Sequence, residues 1–330
     1  MTSNTTTKQA DRGRAADKPG DIPAKGWKDI AVRVKESLRD DQVSLLAAGV
    51  AFFTLLALAP ALAAVVSIYG LVTTPAEASR QIGDFTTALP AEARSLIGDQ
   101  LKNVAAGDAG GLGLALVVGV LLSLWAASGG MKQLIEAINV AYDESETRKF
   151  LRLRGLALLF TLGMITLFVA VLGLLAVLPA LLDNTGLGSV GRAVVNVLRW
   201  PLLAVLMAAA LAILYRYAPD RDEPKLRWVT WGAGIATLLW VIGSVLFTVY
   251  VSNFGKYNET YGSLGAVVVL LLWLYLSAFI ILLGAEINAE MELQTRKDTT
   301  EGAEQPMGCR DAYAADRVGP SADDLKKAKS

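Results

Sequence analysis

Long apolar blocks without a charged residue alternate with short charged stretches along this chain. The first block runs from Gln42 to Ala76, the second from Ala109 to Met131 and the third from Gly155 to Leu182. A fourth covers Trp200 to Tyr215, a fifth Trp228 to Gly255 and a sixth Thr260 to Ala285. Crossing a bilayer core takes roughly 20 helical residues. Five blocks meet that length. The fourth meets it once it extends outward past Arg199, whose long stem can carry its charge to the interface. Barrel strands would be shorter and would alternate polar with apolar, whereas these blocks are continuous and rich in Leu, Ala and Val. A helix also satisfies its own backbone in lipid. The pattern therefore predicts an all-α polytopic transmembrane bundle. Its six spans fall at about 43–72, 110–131, 155–182, 194–215, 229–251 and 262–286. Pro60 lies inside the first span and is expected to kink it.

The flanks read differently. Residues 1–27 and 293–330 are polar, with little to bury, and are expected to be disordered tails around a membrane domain at 28–292. Just before the first span, Ile30, Val32, Val34 and Leu38 mix with charges, as in a short amphipathic helix on the membrane surface. The long loop at 73–109 holds two further apolar faces, Ile82/Phe85/Leu89 and Leu96/Ile97/Leu101, separated by Pro90. They predict two interfacial helices. No segment in the first forty residues has the short apolar core of a signal peptide, so insertion is expected to rely on the first span.

Basic residues set the orientation. Lys25, Lys28, Arg33, Lys35 and Arg39 precede the first span, and Lys132, Arg148, Lys149, Arg152 and Arg154 separate the second from the third. Arg216, Arg221, Lys225 and Arg227 separate the fourth from the fifth, and Arg296 and Lys297 follow the sixth. The opposite loops carry only Arg80, Arg94, Lys102, Arg192 and Lys256. Both termini are therefore expected in the cytoplasm.

Composition narrows the chemistry. Net charge is +0, so no basic field recruits nucleic acid. Histidine is absent, which removes the usual acid–base group near neutral pH and the commonest metal ligand. No phosphate-cradling loop and no Ser-His-Asp set are present. No cofactor, no metal and no catalytic residue are expected. No Asp, Glu, Lys or Arg sits mid-span, which weakens a proton-relay reading.

Three clusters stand out at the span ends. Glu136, Asn139 and Tyr142 follow the second span, and Lys132 is spaced i,i+4 from Glu136 and can pair with it. Asn253, Tyr257, Asn258 and Tyr261 crowd the short loop before the sixth span. Glu286 and Glu290 lie one turn apart where the sixth span ends. Each has a plain structural role available: a satisfied interfacial Asn, aromatic anchors in the headgroup zone, or acids paired with nearby Arg. Each is also a candidate substrate or gating site. Small residues spaced four apart, Ala47/Ala51 and Gly232/Ala236, allow close helix approach.

Three stretches resemble the BrkB/YihY family of bacterial inner-membrane proteins. They are LWAASGGMKQLIEAINVAYD, LYRYAPDRDEPKLRWVTWGAGIATLLWVIGSVLFTVYVSNF and YNETYGSLGAVVVLLLWLYLSAFIILLGAEINAE. The similarity spans Trp27 to Glu292. It implies an all-helical bundle of about six spans in the bacterial cytoplasmic (inner) membrane, and the six spans agree with the topology expected from charge. The first span departs from the family, which often has Tyr early and Ser shortly before its Pro, whereas Phe52 to Pro60 here reads FFTLLALAP. Any role for those hydroxyls does not carry over. Family members have been called virulence factors, and some have carried a ribonuclease label. That activity is disfavoured here, because phosphodiester cleavage needs placed acid–base groups or metals.

Two functions from different classes compete. One is a transporter or lipid-translocating protein of the cell envelope, with membrane lipids as its partners. The other is a non-transporting scaffold that docks envelope proteins. A homo-oligomer is compatible with either. An enzyme is not expected.

Overall fold

The structure, a computed structural model, describes residues 11–72, 112–183, 188–253 and 263–328. A single 3-10 turn, Pro19–Asp21, leads into α1, Ala24–Asp40. Six long helices follow: α2 (Val43–Val72), α3 (Leu112–Ala141), α4 (Phe150–Asp183), α5 (Gly188–Tyr217), α6 (Leu226–Asn253) and α7 (Ser263–Glu292). Two short ones close the chain, α8 (Tyr313–Asp316) and α9 (Ala322–Ala328). No strand occurs among the described residues. The six long helices hold the six apolar blocks.

Those helices run for 28 to 34 residues. At 1.5 Å per residue that is about 42–51 Å, well beyond a hydrocarbon core of about 30 Å. They therefore continue past the charge-free blocks. The second span, expected to end at 131, goes on as α3 to Ala141. The extra turns stand at the polar end, where side chains from neighbouring loops satisfy them. Pro60 lies within α2, which continues to Val72, and Pro201 lies within α5. The interfacial helices expected at 82–101 lie outside the described residues.

Each long helix packs on its chain neighbour, and α7 closes back onto α2, so the six form a circuit. α7 also touches α3 and α1. Small residues set two of these approaches. A Cβ on Gly130 of α3 would lie 3.0 Å from the Thr54 backbone on α2. On α6, a Cβ on Gly232 would collide with Asn288 and with the Gly284 carbonyl of α7. Ala236 packs at the same crossing, and Ala47 and Ala51 are buried on α2.

Burial is uneven. On α4 the last buried residue among those described is Thr161, and on α5 the first is Leu211. On α6 none is buried beyond Thr237, and on α7 none before Ala278. The close-packed core therefore occupies the end of the bundle that carries both termini. Toward the other end, Phe168, Val205, Leu246 and Val268 stand exposed. Apolar exposure of that kind matches lipid tails at little cost.

α1 meets α2 at a bend of 61°. Gln42 sits in the elbow with a φ of 50°, a left-handed turn that lets α2 restart at once. α1 buries Ile30 and Val34 and exposes Lys28, Lys35 and Arg39. It is amphipathic, as expected, and its apolar side rests on α7 and on the tails.

The tails depart from expectation. Residues 11–27 and 293–328 do not read as disordered here; they fold onto the terminal end of the bundle. Arg14 donates to the carbonyls of Leu293, Gln294 and Gly319. Thr295 donates its hydroxyl to Ala16 O at 2.7 Å. Buried Arg310 donates to the carbonyls of Gln305, Lys297, Ala315 and Arg296. Backbone bonds tie Lys225 to Thr299, Glu301 to Glu223 and Asp222 to Asp311. Apolar burial, the quantity that low hydropathy predicts, contributes little here. Arginine fans bonded to carbonyls take its place, and composition does not report them.

Candidate functional site

The last turns of α7 read Glu286-Ile287-Asn288-Ala289-Glu290-Met291-Glu292. Helical spacing sends these polar groups in several directions, and all four of them are buried. Glu290 accepts from Arg33 Nε at 2.5 Å and from Ser37 Oγ at 3.0 Å, both on α1. Arg33 also donates to the Glu290 carbonyl at 2.7 Å and to Gln294 at 2.9 Å. Glu292 takes a two-pronged contact from Arg221, at 2.7 and 3.2 Å, and a bond from Thr299 Oγ1. Both partners of that pair have side chains 0% exposed. Asn288 Oδ1 accepts from Gly232 N at 2.9 Å, and its amide donates to Val229 O.

Glu286 is 1% exposed. Asp41, the residue after α1, lies near it. Glu286 Oε1 finds no donor among the described residues. Burial, with the nearby charge of Asp143 adding to it, raises Asp41 to about 6. Tyr142 is fully buried, with Arg221 Cζ 5.3 Å over its ring. Its hydroxyl has no partner among the described residues. Burial, reinforced by the Glu292 charge, pushes that phenol well above its ordinary range.

Asn139 has a different place. It donates to Glu146 at 2.9 Å and accepts from Asp220 N at 2.8 Å, so it pins the loop after α3 to the loop after α5. Thr147 N and Oγ1 donate to Asp220 Oδ2 at 2.7 and 2.6 Å beside it. Burial works against ionisation of Asp220, but these bonds and Arg148 hold its carboxyl below the usual range. Glu136 stays half-exposed and pairs with Lys132 at 2.5 Å. Glu136 and Asn139 therefore do not share partners. Asn253 is the last residue of α6, and Tyr257, Asn258 and Tyr261 lie outside the described residues.

The structure thus gathers Tyr142, Glu286 and Glu290 at one polar floor and sets Asn139 at its rim. It adds Asp41, Arg33 and Arg221, which the sequence reading did not single out as site residues. Arg33 carried a signal, because it sits on the apolar side of α1 between Ile30 and Val34. Arg221 lies in a loop and carried none. No group of three or more acids or thiols among the described residues converges as metal ligands. The floor closes one end of a ring of helices; toward the other end none of the described residues is buried.

This is the architecture of a polytopic helical membrane protein. Five described helices are long and apolar enough to cross a membrane, or six when α1 with the start of α2 counts as a bent span. The chain belongs to the family described as Virulence factor BrkB, whose model matches residues 34–307. It is 35% identical to the ribonuclease-like protein YfkH of Bacillus subtilis, over 73% of this chain and 87% of that one. A UPF0761 membrane protein of Idiomarina loihiensis is 26% identical over 63% of this chain and 70% of its own length. Another, of Verminephrobacter eiseniae, is 28% identical over 82% of this chain and 64% of its own. No solved structure matches the chain.

Proposed function

We propose that this protein moves lipid or another amphipathic substrate across the bacterial cytoplasmic membrane, with both termini in the cytoplasm. The observation that carries the reading is the asymmetry of the helix ring. Its terminal end is closed by buried ion pairs and folded tails, while buried residues are lacking toward the other end among the described residues. A translocator needs a path that opens on one side and a floor that stops leakage. The orientation is supported by the crowding of Lys and Arg at the terminal end.

The ribonuclease word in the Bacillus relative's name does not extend to this chain in our reading. The carboxylates best placed to act, Glu290 and Glu292, are each locked to an arginine. A scaffold reading also has one observation behind it. The folded tails enclose a polar cleft of about 690 Å³ lined by Arg12, Arg14, Lys28 and Arg296 among others, which offers a docking face outside the membrane.

The test is reconstitution in liposomes with headgroup-labelled lipid and an impermeant quencher outside. Quenching beyond the outer-leaflet share supports translocation. Quenching that stops at that share, with correctly inserted protein, removes passive translocation of that lipid and favours the scaffold. A reporter fused after Ser330 is expected in the cytoplasm; one found outside overturns the orientation.

A further inference from the structure

The arginines of the base are matched inside the chain: Arg33 by Glu290, Arg148 by Glu146 and Arg221 by Glu292. Arg227, in the first turn of α6, stands exposed outside these pairs. Glu223, the acid four residues before it, is engaged by Arg216. Helical spacing from Arg227 places Thr230, Trp231, Gly234, Ile235 and Leu238 on one face of α6. Those five residues line a groove of about 300 Å³. Its middle is open, because a Cβ on Gly234 would meet nothing within 4 Å. Packing inside the protein therefore does not call for glycine there. At the upper end of the groove, the Trp231 ring lies 5.6 Å from that of Trp27 on α1. Indoles at a span end belong in the headgroup zone, with an apolar body and a polar N–H. From Thr230 to Leu238 the helix rises about 12 Å, most of the roughly 15 Å of hydrocarbon in one leaflet. Charge, aromatic pair and groove thus follow one another in the order of a phospholipid's phosphate, glycerol and acyl chain.

We propose that this face of α6, from Arg227 to Leu238, binds one anionic phospholipid of the leaflet at the terminal end. Helix side chains lean toward the N-terminus, which carries the Arg227 guanidinium out to the phosphate. Its planar fork donates two bonds to phosphate oxygens. The glycerol esters sit beside Trp27 and Trp231, and one acyl chain lies along the groove across Gly234. The preference for an anionic headgroup follows from charge. A zwitterionic lipid brings its own cation to the phosphate, whereas an anionic one leaves its net charge to Arg227. Lys28 and Lys35, exposed on the neighbouring α1, add to the same field. The site does not rest on the translocation reading, since binding here involves no movement between leaflets.

The test is native mass spectrometry of the full chain with added phosphatidylglycerol or phosphatidylcholine. The wild type is expected to retain one phosphatidylglycerol in preference to phosphatidylcholine. Arg227→Gln should reduce that preference about fivefold, the share of one basic residue near a bilayer surface. Gly234→Leu should weaken both lipids, because leucine fills the groove. Both positions are exposed, so both variants should keep the wild-type helix content. Equal retention of the two lipids by the wild type overturns the proposal. So does a preference that both variants keep. A dimer that Gly234→Leu dissolves also overturns it and gives the groove to a second copy of the chain.

Discussion

The two ends of the bundle are built from the same kind of helix and held by different forces. At the terminal end, Trp228, Tyr142, Ile135 and Leu282 are fully buried, and buried ion pairs bind the last turn of α7 to α1 and to the loop before α6. Toward the other end, Trp200, Leu246 and Leu122 are each more than 60% exposed. Within lipid no hydrophobic force drives helices together, so packing and polar contacts decide where they close. Among the described residues, buried ion pairs concentrate at one end. Beyond that base the described contacts are sparser and partly exposed, such as the Trp240–Ser277 bond at 3.1 Å and the Trp240–Trp273 ring contact at 5.4 Å that join α6 to α7.

The largest effect should come from breaking the base. Arg221→Ala strands the fully buried Glu292 and is expected to cost about 3–5 kcal/mol, read as unfolding in detergent. The Arg221→Met/Glu292→Leu double variant should recover most of that loss, since it removes both charges together. A smaller loss is expected from Gly232→Val, where a side chain would enter the space of Asn288 and the Gly284 carbonyl. Overpacking of this kind costs about 1–3 kcal/mol. Equal losses from Leu246→Ala on the open half would erase the distinction between the two ends. That variant is expected to stay within about 0.5 kcal/mol of wild type.

The tails give a milder test. Arg310→Ala should expose residues 293–328 to protease while the bundle keeps its helix content by circular dichroism. Asp298 is part of the same fastening. Burial opposes its charge, but bonds from Gln305 N and Thr300 hold its carboxyl below the usual range. A carboxyl held low contributes stability above its unfolded value, about 4, and loses it as pH falls further. Tail protection should therefore fade on acidification below about pH 4, and less so in Asp298→Asn, which is already weakened.

The six helices were legible because a charge-free run longer than about 20 residues has few other solutions. The run of α3 on to Ala141 was legible too, in the helical spacing of Leu134, Ile135, Ile138 and Ala141, all of them buried. The partners that Asn139 finds in two loops distant in sequence were not. The tails were misread for a related reason. Arg14 and Arg310 order them through carbonyls, so a polar composition hides a folded segment. At the site, Tyr142, Glu286 and Glu290 drew attention as polar groups at helix ends. Their neighbours Asp41, Arg33 and Arg221 come from far along the chain, and no local pattern pairs them.

The pairing of Arg33 with Glu290 spans 257 residues, and Arg14 reaches Gly319 across 305. A ribosome delivers those partners last. Until α7 and the segment after it emerge, Arg33 and Arg14 must wait in water or among headgroups. The base of the bundle is therefore the final part to set during synthesis. A chain cut short before Glu290 would insert most of its helices and still lack the knot that ties them, leaving it as prey for membrane quality control.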